Sequence, residues 1–410
     1  MAQYKFILDE EMVKALFLSE GVDEGLKGLL KAVLEQLLAA RADDMCGAAL
    51  YEQSEERVDY RNGYRDRSLV TRIGKIEIQM PRLRGQSLLT GGLFETYRRS
   101  EQALMAGIAE MVVKGVSTRK INDIAQTLFG SSISKSQVSR ICGLLDPAVE
   151  EFRLRPLDEW IPFVIVDAMY LKVREDTRVV SKALYIAMGI NMQGKREILG
   201  FMLSDTESKD RYVEFFRSMK GRGLSRVDFV VSDAHAGLVD AVKEVFVGAS
   251  WQRCQTHFSK NMKDVTPKKV WPEVKAMLPE IYTAKDITTA RARKEEAMEF
   301  LLQHAPKAAD LLDDAFDDII AVLSLPMVYR TKLRTSNSIE RLNEEVRRRE
   351  RPIRIFPSED SVTRILGTVL IEEHEKWASG KRCFDMIEYY DYANKAVKDT
   401  AGEVRRKEAA

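Results

Sequence analysis

The feature that most constrains this chain is a pair of short apolar runs, each followed by an aspartate. Residues 163–166 lead into Asp167, and residues 229–231 lead through Ser232 into Asp233. An uninterrupted run of apolar residues is typical of a strand that is buried on both faces of a sheet. We therefore expect a sheet that carries two carboxylates at its rim. For either aspartate taken alone, capping of the following turn or helix is an equally good explanation.

Further strand and helix patterns surround these two runs. Residues 181–190 and 198–203 are predicted strands, residues 208–219 are a predicted helix, and residues 251–254 are a candidate short strand. Three adjoining strands, a helix and another strand are typical of a mixed sheet. We predict an α/β fold with this mixed sheet at its centre.

The composition excludes several classes of protein. With 410 residues, 64 basic against 63 acidic side chains and 45% hydrophobic residues, we expect two or three domains and a local rather than global nucleic-acid surface. The four cysteines lie far apart without a CxxC pair, which excludes a disulfide framework. The first ten residues lack the apolar region of a signal peptide, and no stretch is long enough to span a bilayer. We expect a soluble protein of the reducing cytosol with no membrane partner.

The most basic window of the N-terminal half covers residues 57–84, where Tyr60 and Tyr64 lie among many cations. Arginine bridges phosphates and tyrosine stacks or hydrogen-bonds, so this mixture is typical of a nucleic-acid surface. A solvated basic surface without a ligand is the alternative. The basic residues of the window are Arg57, Arg61, Arg65, Arg67, Arg72, Lys75, Arg82 and Arg84. The candidate DNA contacts are Arg61, Tyr64, Arg65, Arg67, Arg82 and Arg84.

Local structure is also predicted around this window. Apolar residues recur at helical spacing through residues 25–41, giving a face that packs within its own domain or against a second copy. The Asn-Gly pair at 62–63 predicts a turn. Ile76, Ile78 and Met80 alternate with polar residues and predict a half-buried strand.

Residues 118–145 have the pattern of a helix-turn-helix. The apolar stripes are Ile121, Ile124, Ala125 and Leu128 in the first helix and Val138, Ile141 and Leu144 in the second. Residues 129–132 interrupt the pattern, and Ser134 is a candidate cap for the second helix. That helix exposes three residues of the types that reach phosphates and base edges in a major groove, namely Lys135, Gln137 and Arg140. Helical hairpins also occur in proteins that never touch DNA, but the neighbouring basic window favours DNA binding.

A further helix is predicted from Ser336 onward, where cap-type residues open an amphipathic pattern. Its apolar stripe is Ile339, Leu342 and Val346. At about 100° per residue, Glu340, Asn343 and Arg347 share the adjoining polar face. The stripe can therefore fasten the helix to the sheet while the polar face is presented beside it.

The carboxylates are suited to binding Mg²⁺, which takes oxygen ligands and needs only two or three from the protein. Two such ions about 4 Å apart can activate an attacking oxygen and stabilise a departing one in phosphoryl transfer. Asp167, Asp233 and one helical glutamate match this need. We expect Glu340, because an apolar stripe holds its helix. Glu344 and Glu345 are the alternatives, as is a structural helix with surface glutamates.

Several segments resemble, in order, the motifs of Mutator-type bacterial insertion-sequence transposases. They are residues 166–172 (VDAMYLK), 232–238 (SDAHAGL), 251–257 (WQRCQTH) and 338–343 (SIERLN), with 60–65 (YRNGYR) and 81–84 (PRLR) nearer the N-terminus. The resemblance covers nearly the whole chain. It implies an α/β protein with an RNase H-like mixed-sheet catalytic core, an α-helical insertion and a preceding, mainly helical DNA-binding region. It also implies a DDE triad that holds the metal, here Asp167, Asp233 and Glu340.

The Cys-x-x-His signature of that family falls on Cys254 and His257. One cysteine and one histidine without a second pair make only half of a zinc site. A supporting role beside the triad or a DNA contact is therefore favoured, and a histidine that merely begins a helix is the alternative. Asn337, Asn343 and Arg347 are assigned to the same neighbourhood.

The expected domains follow from these patterns. Pro147 and Pro156 flank a charged stretch that marks a boundary, and strand patterns disappear over residues 270–325. The expected ranges are 1–56 for an N-terminal helical region, 57–150 for the DNA-binding region, 157–265 and 331–395 for the two parts of the core, and 266–330 for the helical insertion.

The expected function is a transposase that binds terminal inverted repeats and catalyses DNA cleavage and strand transfer with two Mg²⁺ ions, for which Mn²⁺ can substitute. Its partners are double-stranded DNA, both inverted repeats and target, and at least a second copy of the chain. Its location is the bacterial cytoplasm, with nucleoid association when bound to DNA. The alternatives are an RNase H-like nuclease without strand transfer and a catalytically inactive DNA-binding regulator.

Overall fold

A computed structural model describes residues 22–53, 57–71, 74–85, 105–129 and 133–395 of the chain. Over these ranges the chain forms two compact units, which divide between Leu144 and Leu145. Among the described residues, no helix has the length and apolar character needed to cross a bilayer.

The first unit combines a long helix, a two-stranded hairpin and several shorter helices. Its elements are α1 (Val22–Cys46), β1 (Arg61–Thr71), β2 (Gly74–Leu83), α2 (105–113), α3 (Thr118–Phe129) and α4 (Lys135–Cys142). Strands β1 and β2 are antiparallel.

Helix α1 packs its apolar face on the hairpin. Leu38 of α1 is buried with Ile76, Ile78 and Met80 of β2, while the polar residues between these three are exposed. The predicted half-buried strand is therefore confirmed. The apolar face of α1 therefore packs within its own unit, which was the first of the two predicted alternatives; packing against a second copy was the other.

The turn predicted at residues 62–63 is wrong. Both residues lie inside β1, at a point where the register with β2 shifts between Arg61 and Tyr64. Gly63 has φ +75°, a left-handed conformation that β-bulges use and that glycine adopts without a Cβ penalty. The hairpin closes further on, where Thr71 pairs with Gly74. The Asn-Gly pair therefore marks a bulge.

Helices α3 and α4 confirm the predicted helical pair. Ile121 of α3 and Val138 of α4 are buried in one cluster with Ile108 of α2. Leu144 does not continue the stripe, because α4 ends at Cys142, which is buried in this cluster instead, and Leu144 is 64% exposed. Of the predicted interruption at 129–132, Phe129 still belongs to α3, and residues 130–132, like the side chain of Leu128, lie outside the described part of the chain.

Ser134 caps α4 as predicted. Its hydroxyl accepts a hydrogen bond from the Gln137 N–H at 3.2 Å, and the Gln137 side chain accepts one from the Ser134 N–H at 2.8 Å. This reciprocal capping box satisfies two backbone donors that the helix start would otherwise leave without partners.

The second unit holds the central sheet and most of the helices. Its strands are β3 (Phe163–Glu175), β4 (Arg178–Ile190), β5 (Arg196–Ser204), β6 (Phe229–Ser232) and β7 (Ser250–Arg253). Its helices are α5 (Asp146–Leu154), α6 (Lys209–Gly221), α7 (Ala236–Val245), α8 (Gln255–Val265), α9 (Trp271–Tyr282), α10 (Ile287–His304), α11 (Pro306–Ile320), α12 (Met327–Leu333), α13 (Asn337–Ile353), α14 (Glu359–Ser379) and α15 (387–395).

The strands form one five-stranded sheet in the order β5-β4-β3-β6-β7. Strand β3 is antiparallel to β4, and β4 to β5, whereas β3, β6 and β7 are parallel. The predicted mixed α/β sheet is confirmed, including the short strand at its edge. Helices must cover both faces, because the parallel strands are apolar on each side.

The two faces of the sheet have separate packing partners. On one face Val166 is buried in a core with Phe216 of α6 and Leu238 of α7. On the other, the ring of Phe163 lies 4.6 Å from that of Tyr389 of α15 in an edge-to-face contact. The central strand is thus fixed from both sides, which holds Asp167 in place.

Helices α8 to α11 build a hydrophobic core of their own. It includes Phe258 of α8, Leu278 of α9, Leu301 of α10 and Phe316 of α11. Every described element from α9 to α11 is helical, which confirms the loss of strands predicted over 270–325. The helices are inserted between β7 and α13.

Gly237 allows α6 and α7 to approach each other closely just after Asp233. A Cβ at this position would lie 2.6 Å from the backbone nitrogen of Lys209, a distance that backbone movement alone can relieve. At Gly221, the last residue of α6, a Cβ would meet nothing within 4 Å.

We expect Gly237→Ala to lower the free energy of unfolding by about 1–3 kcal/mol, since overpacking strains the backbone. Gly221→Ala should leave stability unchanged or raise it by up to about 1 kcal/mol, because alanine favours the helix. Urea-induced unfolding measures both. Equal losses in the two variants would contradict the packing argument.

Candidate active site

Asp167 lies in the middle of β3, so the expectation that it ends a strand is wrong. The parallel strand β6 accompanies β3 only as far as the pair Ile165 and Val231. Antiparallel pairing with β4 continues to Glu175. Asp167 therefore stands just beyond the parallel half of the sheet, where β3 is no longer covered by β6. Asp233 directly follows β6, so the two carboxylates lie at the same edge of that parallel pair.

Helix α13 turns its polar face towards Asp167. Asn343 Nδ2 donates to Asp167 Oδ2 at 2.6 Å, and Arg347 Nη1 donates to the main-chain oxygen of Tyr170 at 3.0 Å. The residues of the predicted apolar stripe are buried, namely Ile339, Leu342 and Val346. The predicted division of this helix into an anchoring face and a polar face is confirmed.

Glu340 lies on α13 one turn before Asn343. Its Oε1 atom is 3.9 Å from His257 Nε2 and 3.2 Å from Ser336 Oγ. The alternative glutamates lie elsewhere, because Glu344 is exposed and Glu345 pairs with Arg348 at 3.1 Å.

The other two acidic side chains of the expected triad influence Asp167 electrostatically. Burial raises the pKa of Asp167 to about 7, and the nearby carboxylates of Asp233 and, more weakly, Glu340 act in the same direction, while His257 opposes them. The hydrogen bond from Asn343 to Asp167 and the parallel pairing of β3 with β6 place these three residues, widely separated in sequence, in one neighbourhood. Their mutual repulsion favours a cation between them.

Cys254 and His257 stand beside Glu340. Cys254 is the buried residue before α8, and its Sγ atom accepts a hydrogen bond from the Ser336 N–H at 3.3 Å. The Ser336 hydroxyl lies 3.2 Å from both this sulfur and Glu340 Oε1, and its single proton can be donated to either. Nearby, Thr256 donates to Asn337 at 3.4 Å. These contacts join the start of α8 to the start of α13.

The cysteine and the histidine alter each other's acidity. Burial opposes ionisation of Cys254, but hydrogen bonds from His257 and Ser336 outweigh it and lower the pKa of the thiol. Interaction with Cys254 raises the pKa of His257 against the effect of burial. The pair therefore tends towards a thiolate and an imidazolium next to Glu340.

Ser336 was predicted to cap α13, but it lies at the candidate site. Its side chain makes no capping bond to α13 and instead lies between Cys254 and Glu340. In the sequence, the Ser-Asn-Ser start of the helix predicts a cap. It carries no information on Cys254, which is 82 residues away.

The candidate DNA contacts of the first unit differ in their surroundings. Arg61 forms an ion pair with Asp43 and hydrogen-bonds the Ala48 carbonyl at 3.3 Å, and Gln137 is engaged in the capping box of α4. Arg67 is half-buried. The exposed candidates are Tyr64, Arg65, Arg82, Arg84, Lys135 and Arg140. Arg72, also in the basic window, lies outside the described residues.

A second acidic cluster on the sheet already contains a cationic side chain. Carboxylate oxygens of Glu175, Asp205 and Glu359 lie within 4.8 Å of one another, but the ammonium of Lys182 forms ion pairs with all three. Lys182 is 4% exposed. This cluster therefore fastens the ends of β3 and β5 to the start of α14 and needs no metal ion.

Comparison with known proteins identifies the family of this chain. Residues 1–380 match the family described as "Transposase, Mutator family", and the chain belongs to that family. This membership implies a requirement for a divalent metal ion.

Several curated relatives are similar over almost their full length. The chain is 40% identical to the transposase for insertion sequence element IS256 in transposon Tn4001 from Staphylococcus aureus, covering 93% of this chain and 98% of the relative. It is 41% identical to the transposase for insertion sequence element IS1081 from Mycobacterium tuberculosis, covering 92% and 91%. It is 38% identical to the transposase for insertion sequence element ISRM5 from Rhizobium meliloti, covering 95% and 97%.

The raised pKa of Asp167 predicts a pH-dependent stability in the metal-free protein. The pKa is about 7 when folded and 3.8 for the unperturbed group, so the folded state binds more protons between these values and stability falls as pH rises through them. We expect Asp167→Asn to melt at a higher temperature than wild type at about pH 8 with a chelator present. The difference should shrink towards about pH 4.

Glu344→Gln is the matched control, because Glu344 is an exposed carboxylate on the same helix as Glu340. Its melting temperature should follow wild type across the pH range. Equal melting of wild type and Asp167→Asn at about pH 8 would contradict the electrostatic description of the site.

Proposed function

We propose that this protein is a DNA transposase that binds the terminal inverted repeats of an insertion sequence and catalyses DNA cleavage and strand transfer. The observation that carries the proposal is that Asp167 and Asp233 lie on and just after neighbouring parallel strands of a Mutator-family chain, with Glu340 one turn before Asn343, which hydrogen-bonds Asp167. Its curated relatives bear the names of insertion-sequence transposases.

The catalytic core is proposed to be RNase H-like. Three antiparallel strands followed by two parallel ones support this assignment, as does the position of one aspartate on the central strand and another after its parallel neighbour. The core comprises residues 157–265 and 331–395, and the insertion comprises 266–330. The proposed boundaries of the N-terminal region are 1–56, of which Val22–Cys46 is a described helix, and those of the DNA-binding region are 57–150.

The residues at the site fit a hard divalent cation. Asp167, Asp233 and Glu340 supply carboxylate oxygens, the donors that Mg²⁺ prefers. Asn343 Oδ1 is buried and has no hydrogen-bond partner among the described residues. We assign Mg²⁺ to the three carboxylates as two ions, for which Mn²⁺ can substitute. When bound, such ions would polarise the scissile phosphate and stabilise the charge that develops on its oxygens.

The surrounding side chains position these ligands. Asn343 fixes the orientation of the Asp167 carboxylate through its 2.6 Å hydrogen bond. Ser336 and His257 flank Glu340. Arg347 ties α13 to the main chain of β3. A ligand shell held in this way needs little reorganisation during the reaction.

The reaction consists of two phosphoryl transfers at the same site. In the first, a water molecule attacks a phosphodiester at the element end and releases a 3′ hydroxyl. In the second, that hydroxyl attacks a phosphodiester of target DNA and displaces a new 3′ hydroxyl. Neither step needs a covalent bond to the protein.

DNA binding is proposed to involve exposed cations in both units. In the first unit the exposed cations are Arg65, Arg82, Arg84, Lys135 and Arg140. The half-buried Arg67 and the exposed Tyr64, which can stack, are proposed to contribute as well. In the second unit, Lys260 and Lys263 are exposed on α8 and form no ion pair among the described residues. They follow His257 by one and two turns, so the scissile strand can pass along them. A homodimer or larger assembly would bring two element ends together.

We expect Asp167→Ala, Asp233→Ala and Glu340→Ala each to abolish Mg²⁺-dependent cleavage and joining while binding to end DNA is retained. Cleavage of labelled end DNA and joining of pre-cleaved ends measure the two steps separately. Glu344→Ala is the control and should cleave at the wild-type rate.

These assays distinguish the proposed transposase from the alternative assignments. If Glu340→Ala cleaved normally and Glu344→Ala did not, the assignment of the third ligand would be wrong. Cleavage without joining of pre-cleaved ends would indicate a nuclease. Binding without nicking in any divalent ion would indicate a regulator.

The lysines of α8 predict a specific salt dependence. Replacing both Lys260 and Lys263 with alanine should reduce the slope of log affinity against log salt by about 0.9 for each lost phosphate contact. Fluorescence anisotropy with end DNA in a chelator, at several salt concentrations, measures this slope without catalysis. Lys307→Ala with Lys381→Ala removes the same charge from exposed positions elsewhere. Equal slopes for the two double variants would exclude α8 from the DNA path.

A further inference from the structure

Cys254, His257 and Glu340 form a group of three different metal-ligand types. One ligand atom from each, a sulfur, a ring nitrogen and a carboxylate oxygen, lies within 4.8 Å of the other two. The first two come from the start of α8, and the third comes from α13. The Cys-x-x-His pair is half of a site in sequence, and the fold supplies a third ligand.

This donor set differs in chemistry from the three carboxylates assigned to Mg²⁺. Thiolate and imidazole favour borderline ions such as Zn²⁺ and Co²⁺, whereas Mg²⁺ favours oxygen alone. Three protein ligands with one position left for water are a common arrangement around Zn²⁺. The set therefore suits an ion that the carboxylates alone would not select.

The surroundings of the three atoms also favour metal binding. Cys254 is fully buried, and its sulfur already receives a hydrogen bond from the Ser336 N–H at 3.3 Å, as sulfur ligands of metals commonly do. The side chains of His257 and Glu340 are 29% and 34% exposed. An ion can therefore enter from solvent past these two residues and reach the buried sulfur.

Among the described residues, no lysine or arginine forms an ion pair with Glu340, whose charged neighbour is His257. In the cluster of Glu175, Asp205 and Glu359, by contrast, the ammonium of Lys182 is bonded to all three carboxylates. His257 can itself become a ligand when it gives up its proton. The ligand atoms are equally close in the two groups, but only the group of Cys254, His257 and Glu340 leaves room for an ion in place of a lysine.

We propose that Cys254, His257 and Glu340 form a binding site for a thiophilic divalent ion such as Zn²⁺, separate in donor chemistry from the Mg²⁺ site but sharing Glu340. On binding, the Cys254–His257 pair releases the single proton it holds between thiol and imidazole to solvent, and the ion takes the thiolate sulfur, the neutral imidazole nitrogen and one carboxylate oxygen. Because Glu340 cannot serve both sites fully, occupation by Zn²⁺ inhibits the Mg²⁺-dependent reaction. This last consequence rests on the proposed function, whereas the binding itself does not.

The binding is tested by titrating the metal-free full-length protein with Co²⁺ under a phosphine reductant. Bonding between cobalt and a thiolate produces an intense near-ultraviolet charge-transfer band, which Co²⁺ bound to oxygen alone lacks. We expect this band in wild type, its loss on adding Zn²⁺ and its persistence in excess Mg²⁺. Absence of the band in wild type would overturn the proposal.

Variants identify the ligands. Cys254→Ser should lose the band, and His257→Ala and Glu340→Gln should weaken Co²⁺ binding by at least about tenfold. Cys142→Ser is the control, since Cys142 is also a buried free cysteine but lies in the first unit. It should retain the band. Circular dichroism verifies that each variant is folded, and Glu340→Gln, at a partly exposed position, keeps the test decisive if Cys254→Ser does not fold. A band that survives Cys254→Ser, or disappears in Cys142→Ser, would overturn the assignment.

Inhibition is measured as the fraction of each protein's own Mg²⁺-dependent cleavage that remains as Zn²⁺ is added. Wild type and Cys142→Ser should be inhibited in parallel. Equal inhibition of any active Cys254→Ser protein would show that Zn²⁺ acts elsewhere. A charge-transfer band without cleavage in any metal would refute the proposed function alone, whereas cleavage without the band would refute the metal site alone.

Discussion

The packing of α13 against β3 is the constraint on which the candidate site depends. The helix carries Glu340 and Asn343, and the strand carries Asp167, so their relative position decides whether the carboxylates meet. Full burial of an aliphatic side chain contributes about 1.5–3 kcal/mol, and three residues of α13 are buried in this way. Ionising the half-buried Asp167 carboxyl, with a pKa near 7 instead of 3.8, costs on the order of 4 kcal/mol, chiefly because the charge is desolvated. The apolar anchor of α13 therefore exceeds the cost of holding this carboxylate in place.

The same arrangement leaves poorly compensated negative charge at the proposed metal site. Asp167 is half-buried near Asp233 and is oriented by Asn343, so its negative charge is poorly compensated by the protein alone. The ion-paired Lys182 cluster follows the opposite principle, because its three carboxylates share one buried ammonium. One acidic group therefore connects structural elements, whereas the other forms no ion pair with a lysine or arginine among the described residues and is the proposed metal site. This contrast supports a functional role for the second.

Local patterns predicted most elements of the fold. The dense apolar runs of the parallel strands, the alternation in β2, the capping box at Ser134 and the stripe of α13 each depend on neighbours within one or two turns, so sequence spacing suffices to find them. The errors arose where a local signal has two solutions. The Asn-Gly pair at 62–63 fits a bulge as well as a turn, and Asp167 interrupts an apolar run without ending the strand, because β3 loses one parallel neighbour there but keeps its antiparallel one.

The sequence by itself determined which residues could bind a metal and which face of α13 could present a glutamate, since chemistry and helical period are local properties. Only the tertiary structure decided which of those residues meet. It placed Glu340 rather than Glu345 beside His257, brought Ser336 to Cys254, and added a third ligand type to the Cys-x-x-His pair. The reason is physical: these contacts join α8, β3 and α13 across long stretches of chain, and their distances follow from how the helices pack on the sheet.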